Sequence, residues 1–243
     1  MDSPHYSVQW CKGKGFKDSL PCLRGLDAWR QAWRPKKVRV LLVAESHVRE
    51  KKRDLQVSVL RPQGVSERLP RRFVRLIYCL GYGENSLCKP KPPKSNGGTP
   101  QFWKLFQVIA DCRADAEPPR EISQKLRTLR KLQKRGVWLV DASIGALAKS
   151  GKTRIDRRVK IRKYRSTIQD SFKRFVWPMV QRDRPKQVWV IGRGVGKALA
   201  TLHLEGLPNE ISDRWIISQP NGQNQVQYQK DLRKLVQGIS VCK

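Results

Sequence analysis

No apolar run in this 243-residue chain approaches the ~20 residues that a membrane-spanning helix requires, so a helical passage through a bilayer is not expected. The opening, Met1-Asp2-Ser3-Pro4-His5, has neither the basic start nor the following apolar stretch of a secretory leader. A location inside the cell, in cytoplasm or nucleus, is the expectation. Cysteine is sparse and scattered: Cys11, Cys22, Cys79, Cys88, Cys112 and Cys242 form no Cys-x-x-Cys pair and have no histidine at ligand spacing. That pattern argues for reduced thiols over a disulfide framework or a zinc finger. No internal repeat is visible. Acidic residues are scarce against their opposites, with 20 Asp and Glu facing 51 Lys and Arg, a formal net charge of +31.

That imbalance makes a polyanion the expected partner. The excess is spread between hydrophobic segments, so it must line the surface of the folded body, where it would give nucleic-acid affinity a strong salt dependence. Charge alone leaves the chemistry open, because purely structural nucleic-acid binders are equally basic. The cations are densest in residues 149–165, where nine of seventeen are Lys or Arg and only Asp156 is acidic. Mutual repulsion there is relieved by an anion, and the segment is read as touching a nucleic-acid backbone. The hydrophobic fraction of 39%, with eight Trp, suffices for a core and for one globular domain, residues 1–243, expected to be monomeric.

Four β-branched runs, residues 38–44, 137–140, 188–191 and 215–217, read as strands buried on both faces. Amphipathic helices are predicted over 101–112, 122–134, 166–179 and 195–204, with a closing helix over 231–236. The rhythm is that of βα units, an α/β fold of three αβα layers around a central four-stranded, mostly parallel sheet. Residues 87–100, with four prolines and adjacent glycines, read as a loop.

In an open parallel sheet the working groups lie just past the carboxyl ends of the strands. There this chain carries Glu45, Ser46 and His47, then Asp141, then Gly192-Arg193-Gly194-Val195-Gly196-Lys197, then Gln219, Asn221, Gly222, Gln223 and Asn224. The glycine-rich stretch is not a Walker loop, since Ala198 follows Lys197 where Ser or Thr would hold magnesium. Its glycines are read as serving a tight strand-to-helix turn. Each polar residue also has a plainer reading. Glu45 and Asp141 could cap following helices, Gln219 and Asn221 could be turn residues around Pro220, and Phe102 and Trp103 could be core.

The order and context of these motifs resemble the uracil-DNA glycosylase superfamily. Residues 40–47 look like its first motif, with Glu45 at the catalytic Glu, Ala44 at the preceding Gly and His47 in place of the usual Pro. Thr99-Pro100-Gln101-Phe102-Trp103 is similar to the stretch whose aromatic stacks on the flipped base, with Phe102 the first choice and Trp103 the second. Asp141 stands where an Asn reads uracil, and residues 218–222 look like the last motif, with Gln219 in place of His or Asn. An ionised Asp has no donor, which turns the expectation toward bases presenting an amine or ring N–H.

What the resemblance implies is a uracil-DNA glycosylase-like fold that hydrolyses the N-glycosidic bond of a damaged or deaminated base, such as uracil or hypoxanthine, in duplex DNA with that nucleotide turned out. Glu45, ionised among cations, would orient water, while Gln219 or Asn221 donates to the departing base. Phe102, Trp103, Asp141 and His47 would recognise that base. Arg193, Lys197, Gly222, Gln223 and Asn224, with Lys152, Arg154, Arg157, Arg158, Lys160, Arg162 and Lys163, would hold the DNA. No metal or organic cofactor is expected. The branch of the superfamily with the Glu motif commonly carries an iron–sulphur cluster, for which Cys11, Cys22, Cys79 and Cys88 could be assembled, but their spacing does not demand it. Two alternatives stand beside this reading: a catalytically silent nucleic-acid binder, and a metal-dependent nuclease using Glu45 and Asp141.

Overall fold

A computed structural model of the chain describes residues 4–63, 65, 67, 69–93, 96–149, 161–202, 204–208, 211–219 and 225–240. The chain divides into two compact units whose segments interleave along the sequence: Met1–Trp33, Ser46–Thr99 and Ser143–Ile161 in the first, Arg34–Glu45, Pro100–Ala142 and Arg162–Lys243 in the second. Among the described residues no helix is long and apolar enough to cross a membrane.

The second unit holds the sheet. Its strands are β1 (Val40–Ala44), β5 (Val137–Asp141), β7 (Gln187–Ile191) and β8 (Ile216–Ile217), in the order β5-β1-β7-β8 with every pairing parallel. All residues of β1, β5 and β7 are buried, as continuous β-branched runs require when both faces are covered. The first crossover, from β1 to β5, carries α3 (Pro100–Asp111) and α4 (Ile122–Arg135). The second runs the opposite way along the sheet, from β5 to β7, through α5 (Ile161–Ser171) and α6 (Trp177–Asp183), and α7 (Arg193–Leu199) continues to β8. Right-handed crossovers in opposite directions put helices on both faces, which gives a Rossmann-like three-layer α/β arrangement. Helix α8 (Gln225–Ser240) packs against α3. Gln169 of α5 donates to Ala198 O of α7 at 2.8 Å.

Local chemistry explains where these elements start and stop. Helix α4 opens on a capping box, Glu121 with Gln124, and ends at Gly136 with φ 75°, where a Cβ would meet Lys37 O at 2.6 Å. Gly136 O then receives Arg39 N at 2.7 Å, which sets β1 beside β5. The helix expected over 166–179 is instead α5, a π turn over Phe172–Val176 and α6. Pro178 has no N–H for the i−4 bond, and the backbone changes register just ahead of it.

The first unit contains α1 (Pro4–Gly13) and α2 (Leu20–Ala32), neither of them foreseen, and two small ladders. β2 (Val48–Arg49) pairs in parallel with β6 (Ala148–Lys149), and β3 (Ser58–Val59) pairs antiparallel with β4 (Cys88–Lys89). β4 therefore begins inside the stretch expected to be all loop. Trp29 Nε1 donates to Arg72 O at 2.7 Å and Trp33 Nε1 to Tyr78 O at 3.1 Å, anchoring α2 to the long irregular segment. Cys11, Cys22, Cys79, Cys88 and Cys112 are free thiols.

Candidate functional site

The strand order reverses direction at β1: the chain leaves β1 for β5 on one side and returns to β7 on the other. Such a switch point leaves a crevice beyond the carboxyl ends of the two diverging strands, and ligands bind there. Glu45 is the residue immediately after β1, and Gly192 is the residue immediately after β7.

Tyr164 of α5 donates its hydroxyl to Glu45 Oε1 at 2.5 Å. Oε2 of the same carboxylate takes no hydrogen bond from the described residues. Tyr164 also faces α7, since a Cβ on Gly194 would lie 3.5 Å from its hydroxyl oxygen. Asp141 is the last residue of β5, opposite Ala44 in the ladder, and its charge acts on Glu45. Burial raises the Glu45 carboxyl above its ordinary range, the Tyr164 hydrogen bond opposes that rise, and Asp141 adds to it. Among the described residues, the groups that act on Glu45 are a neutral donor and a second acid, in place of the cations expected there. Burial and the adjacent Glu45 push the Tyr164 phenol far up, so it stays a proton donor throughout the physiological range.

Gln219 reaches the same end of the sheet. It follows β8, is exposed, and its Cγ would lie 3.1 Å from a Cβ on Gly192, whose φ of 101° already favours glycine. Asp231 of α8 fixes the approach by accepting Ser218 N at 2.8 Å. Its carboxyl is raised by burial but held below the ordinary range overall, first of all by that amide. The glycine-rich stretch is thus explained by packing: Gly192 admits Gln219 and the turn, and Gly196 leaves no space for a Cβ against Ile216. No helix follows Glu45 or Asp141, which removes the capping role for both.

The other expected residues distribute as follows. Trp103 is buried edge-on against Phe106, with Lys125 Nζ over its ring at 5.4 Å, so it serves the core. Phe102, in the first turn of α3, is half-buried. His47 belongs to the other unit, where Nε2 meets Asp18 Oδ1 at 3.0 Å with both side chains fully buried, and that pairing withdraws it from base recognition. Arg193 and Lys197 are exposed on α7, Lys163 is exposed on α5, and Arg162 lies in the first turn of α5. Lys152, Arg154, Arg157, Arg158, Lys160, Asn221, Gly222, Gln223 and Asn224 lie outside the described residues.

Of the four cysteines named for a cluster, all are buried, free thiols. Cys11 senses Cys22 and Cys79 senses Cys88, but the one potential metal-ligand group among the described residues is Asp18, Cys22 and His47. Tyr164 and Asp231 are the site residues that sequence reasoning missed. Tyr164 was the only aromatic in the 149–165 cationic run, a signal masked by the reading of that run as pure phosphate contact. Compared with protein-family models, with curated proteins and with solved structures, the chain matches none of them.

Proposed function

We propose that this chain is a DNA glycosylase of the uracil-DNA glycosylase type, hydrolysing the N-glycosidic bond of a damaged or deaminated base turned out of duplex DNA. The observation that carries the reading is the Glu45 carboxylate at the switch point, one oxygen held by Tyr164 and the other left for water. In the reaction the bond from C1′ to the base nitrogen breaks, and its electron pair departs with the base. Water oxygen bonds to C1′ and its proton passes to Glu45. Oxocarbenium charge on the sugar is offset by the same carboxylate while Gln219 donates its amide N–H to the leaving base.

Two roles change from those expected from sequence. Burial of Asp141 and its effect on Glu45 favour it as the group that tunes the Glu45 charge over one that reads a base edge. Phe102, half-buried where Trp103 is core, is the aromatic suited to stacking. Exposed Arg193, Lys197 and Lys163, on a chain of net charge +31, suit the phosphates flanking the flipped nucleotide.

The test is a panel of duplexes carrying uracil, hypoxanthine, xanthine, alkylated bases or mismatches, scored for alkali-labile abasic sites. The expected result is base release from at least one lesion, lost in Glu45→Gln. Tight binding without release from any duplex would leave a silent binder, and magnesium-dependent strand cleavage without an abasic intermediate would point to a nuclease.

A further inference from the structure

We infer that the first unit contains a divalent transition-metal site, with Asp18, Cys22 and His47 as its protein ligands. The ligand atoms of Asp18, Cys22 and His47 all lie within 4.8 Å of one another, and all three residues are buried. They supply oxygen, sulfur and nitrogen, a mixed set that suits borderline-soft zinc and is poorly matched to magnesium or calcium. Tetrahedral zinc with bonds of about 2.0–2.3 Å needs ligand atoms roughly 3–4 Å apart. The 3.0 Å between His47 Nε2 and Asp18 Oδ1 is at the short edge of that range.

The backbone holds the three side chains together independently of any ion. Asp18 precedes α2, Ser19 caps that helix by accepting Cys22 N at 3.4 Å, and Cys22 therefore sits in the first turn with its thiol returned toward Asp18. Asp18 Oδ2 accepts Ala146 N at 3.0 Å, which fixes the carboxylate and leaves Oδ1 toward His47. On the other side of the same junction, Ser46 Oγ accepts Leu147 N at 3.1 Å and sets the backbone from which His47 projects. Such hydrogen bonds to a ligating carboxylate are what orient ligands at metal centres.

Cys11, on α1, is fully buried, and its thiol senses both Asp18 and Cys22 electrostatically. Three protein ligands leave the fourth position of a tetrahedral ion to water or an incoming donor, and the bound ion would tie the start of α2 to the segment at His47. The sequence concealed this site because its ligands stand at 18, 22 and 47, without a Cys-x-x-Cys pair to signal it.

The test uses the full chain stripped with a chelator and titrated with Co(II) as a spectroscopic probe, then with Zn(II). One equivalent of Co(II) should bind, with a thiolate-to-cobalt charge-transfer band and intense visible bands of a tetrahedral ion, both abolished by Zn(II). Added Zn(II) should raise the melting temperature, and a chelator should reverse the rise. Cys22→Ser should weaken binding by more than about 100-fold, beyond what changes outside the ligand shell cost. Cys112→Ser should leave it unchanged. If Cys22→Ser does not fold by far-UV circular dichroism, Asp18→Asn, which keeps an oxygen for Ala146 N, is titrated in its place. The inference fails if the wild type binds neither ion, if bound Co(II) lacks the thiolate band, if the folded ligand variants bind as tightly as wild type, or if the protein purifies with acid-labile sulfide. None of these readouts depends on base release, so the glycosylase reading stands or falls separately.

Discussion

Glu50, in the unit of α1 and α2, and Glu45, in the sheet unit, are both acids withdrawn from water, and the chain treats them differently. Glu50 has both oxygens engaged by Arg75: Oε1 accepts the Arg75 backbone N–H, and Oε2 accepts Nη1 at 2.5 Å. Arg75 Nη1 also reaches Asp54 Oδ2 at 2.8 Å, so one guanidinium neutralises two buried carboxylates. Glu45 has a neutral hydroxyl on one oxygen, no described partner on the other, and Asp141 as its charged neighbour. A saturated acid holds a fold together, whereas a half-satisfied one keeps bonding capacity for something that arrives later. The difference separates a structural carboxylate from a working one by the account of its lone pairs, with no appeal to position in the sequence.

The strongest way to break the comparison is Arg75→Met, which leaves Glu50 buried without its cation and Asp54 with only the more distant Arg53, at 3.7 Å. A loss of about 3–5 kcal/mol in urea unfolding is expected, since an uncompensated buried charge costs that much. A loss under about 1 kcal/mol would mean that the cluster is not structural. Glu45→Gln should do the reverse for stability while cutting base release by about 100- to 10,000-fold, the range of a lost general base. The sign follows from linkage. The folded state raises the Glu45 pKa, so its ionisation favours unfolding, and the stability present below the unfolded value of 4.5 is lost as pH rises through the folded one. Glu45→Gln should therefore melt higher than wild type at pH 7, with the gain shrinking as the pH falls toward 4.5. A variant that is less stable than wild type at pH 7 would place Glu45 with Glu50 as a structural acid.

The sheet was legible because its strands announce themselves chemically. Runs such as Val40 to Ala44 and Val188 to Ile191 are apolar on both faces, and only burial on both sides stabilises them. Glu45, Asp141 and Gln219 were legible for the same reason, as polar residues at the ends of those runs. The first unit was not. Helices α1 and α2 contain Trp10, Cys11, Cys22 and Trp29 in stripes interrupted by Lys, Pro and Gly, and 46–99 has little periodicity of either kind. Closing helix α8 was read as six residues starting at Asp231. The helix begins at Gln225 instead, and Asp231 turns its carboxylate toward Ser218 N across the fold. Tyr164 escaped because its partner is 119 residues away, a pairing that no local pattern encodes.

Removing the donor on Glu45 sharpens the comparison from the other side. Tyr164→Phe leaves Oε1 as bare as Oε2, and a hydrogen bond to an ionised carboxylate is worth roughly tenfold or more. Base release should fall by about that factor. The acid limb of kcat/KM should also move to higher pH, because Tyr164 is the contact that favours the ionised Glu45 and its loss leaves burial and Asp141 acting alone. A uniform fall at every pH, with no movement of the limb, would make Tyr164 a packing residue.

The smallest effect separates binding from chemistry. Arg193 and Lys197 are exposed on α7, one turn apart at the carboxyl end of β7, and neither touches Glu45. If each neutralises one phosphate beside the flipped nucleotide, Arg193→Ala with Lys197→Ala should lower the slope of log affinity against log salt by about 0.9 per contact. Affinity at low salt should drop several-fold, while release from the bound complex at saturating protein stays near wild type, because the carboxylate and its water are untouched. Measuring both quantities on one lesion duplex discriminates the outcomes. An unchanged slope would remove α7 from the interface. A slope lowered together with a slower bound-state rate would mean that phosphate contacts help to seat the base against Glu45, which would tie the cationic surface to the chemistry instead of to capture alone.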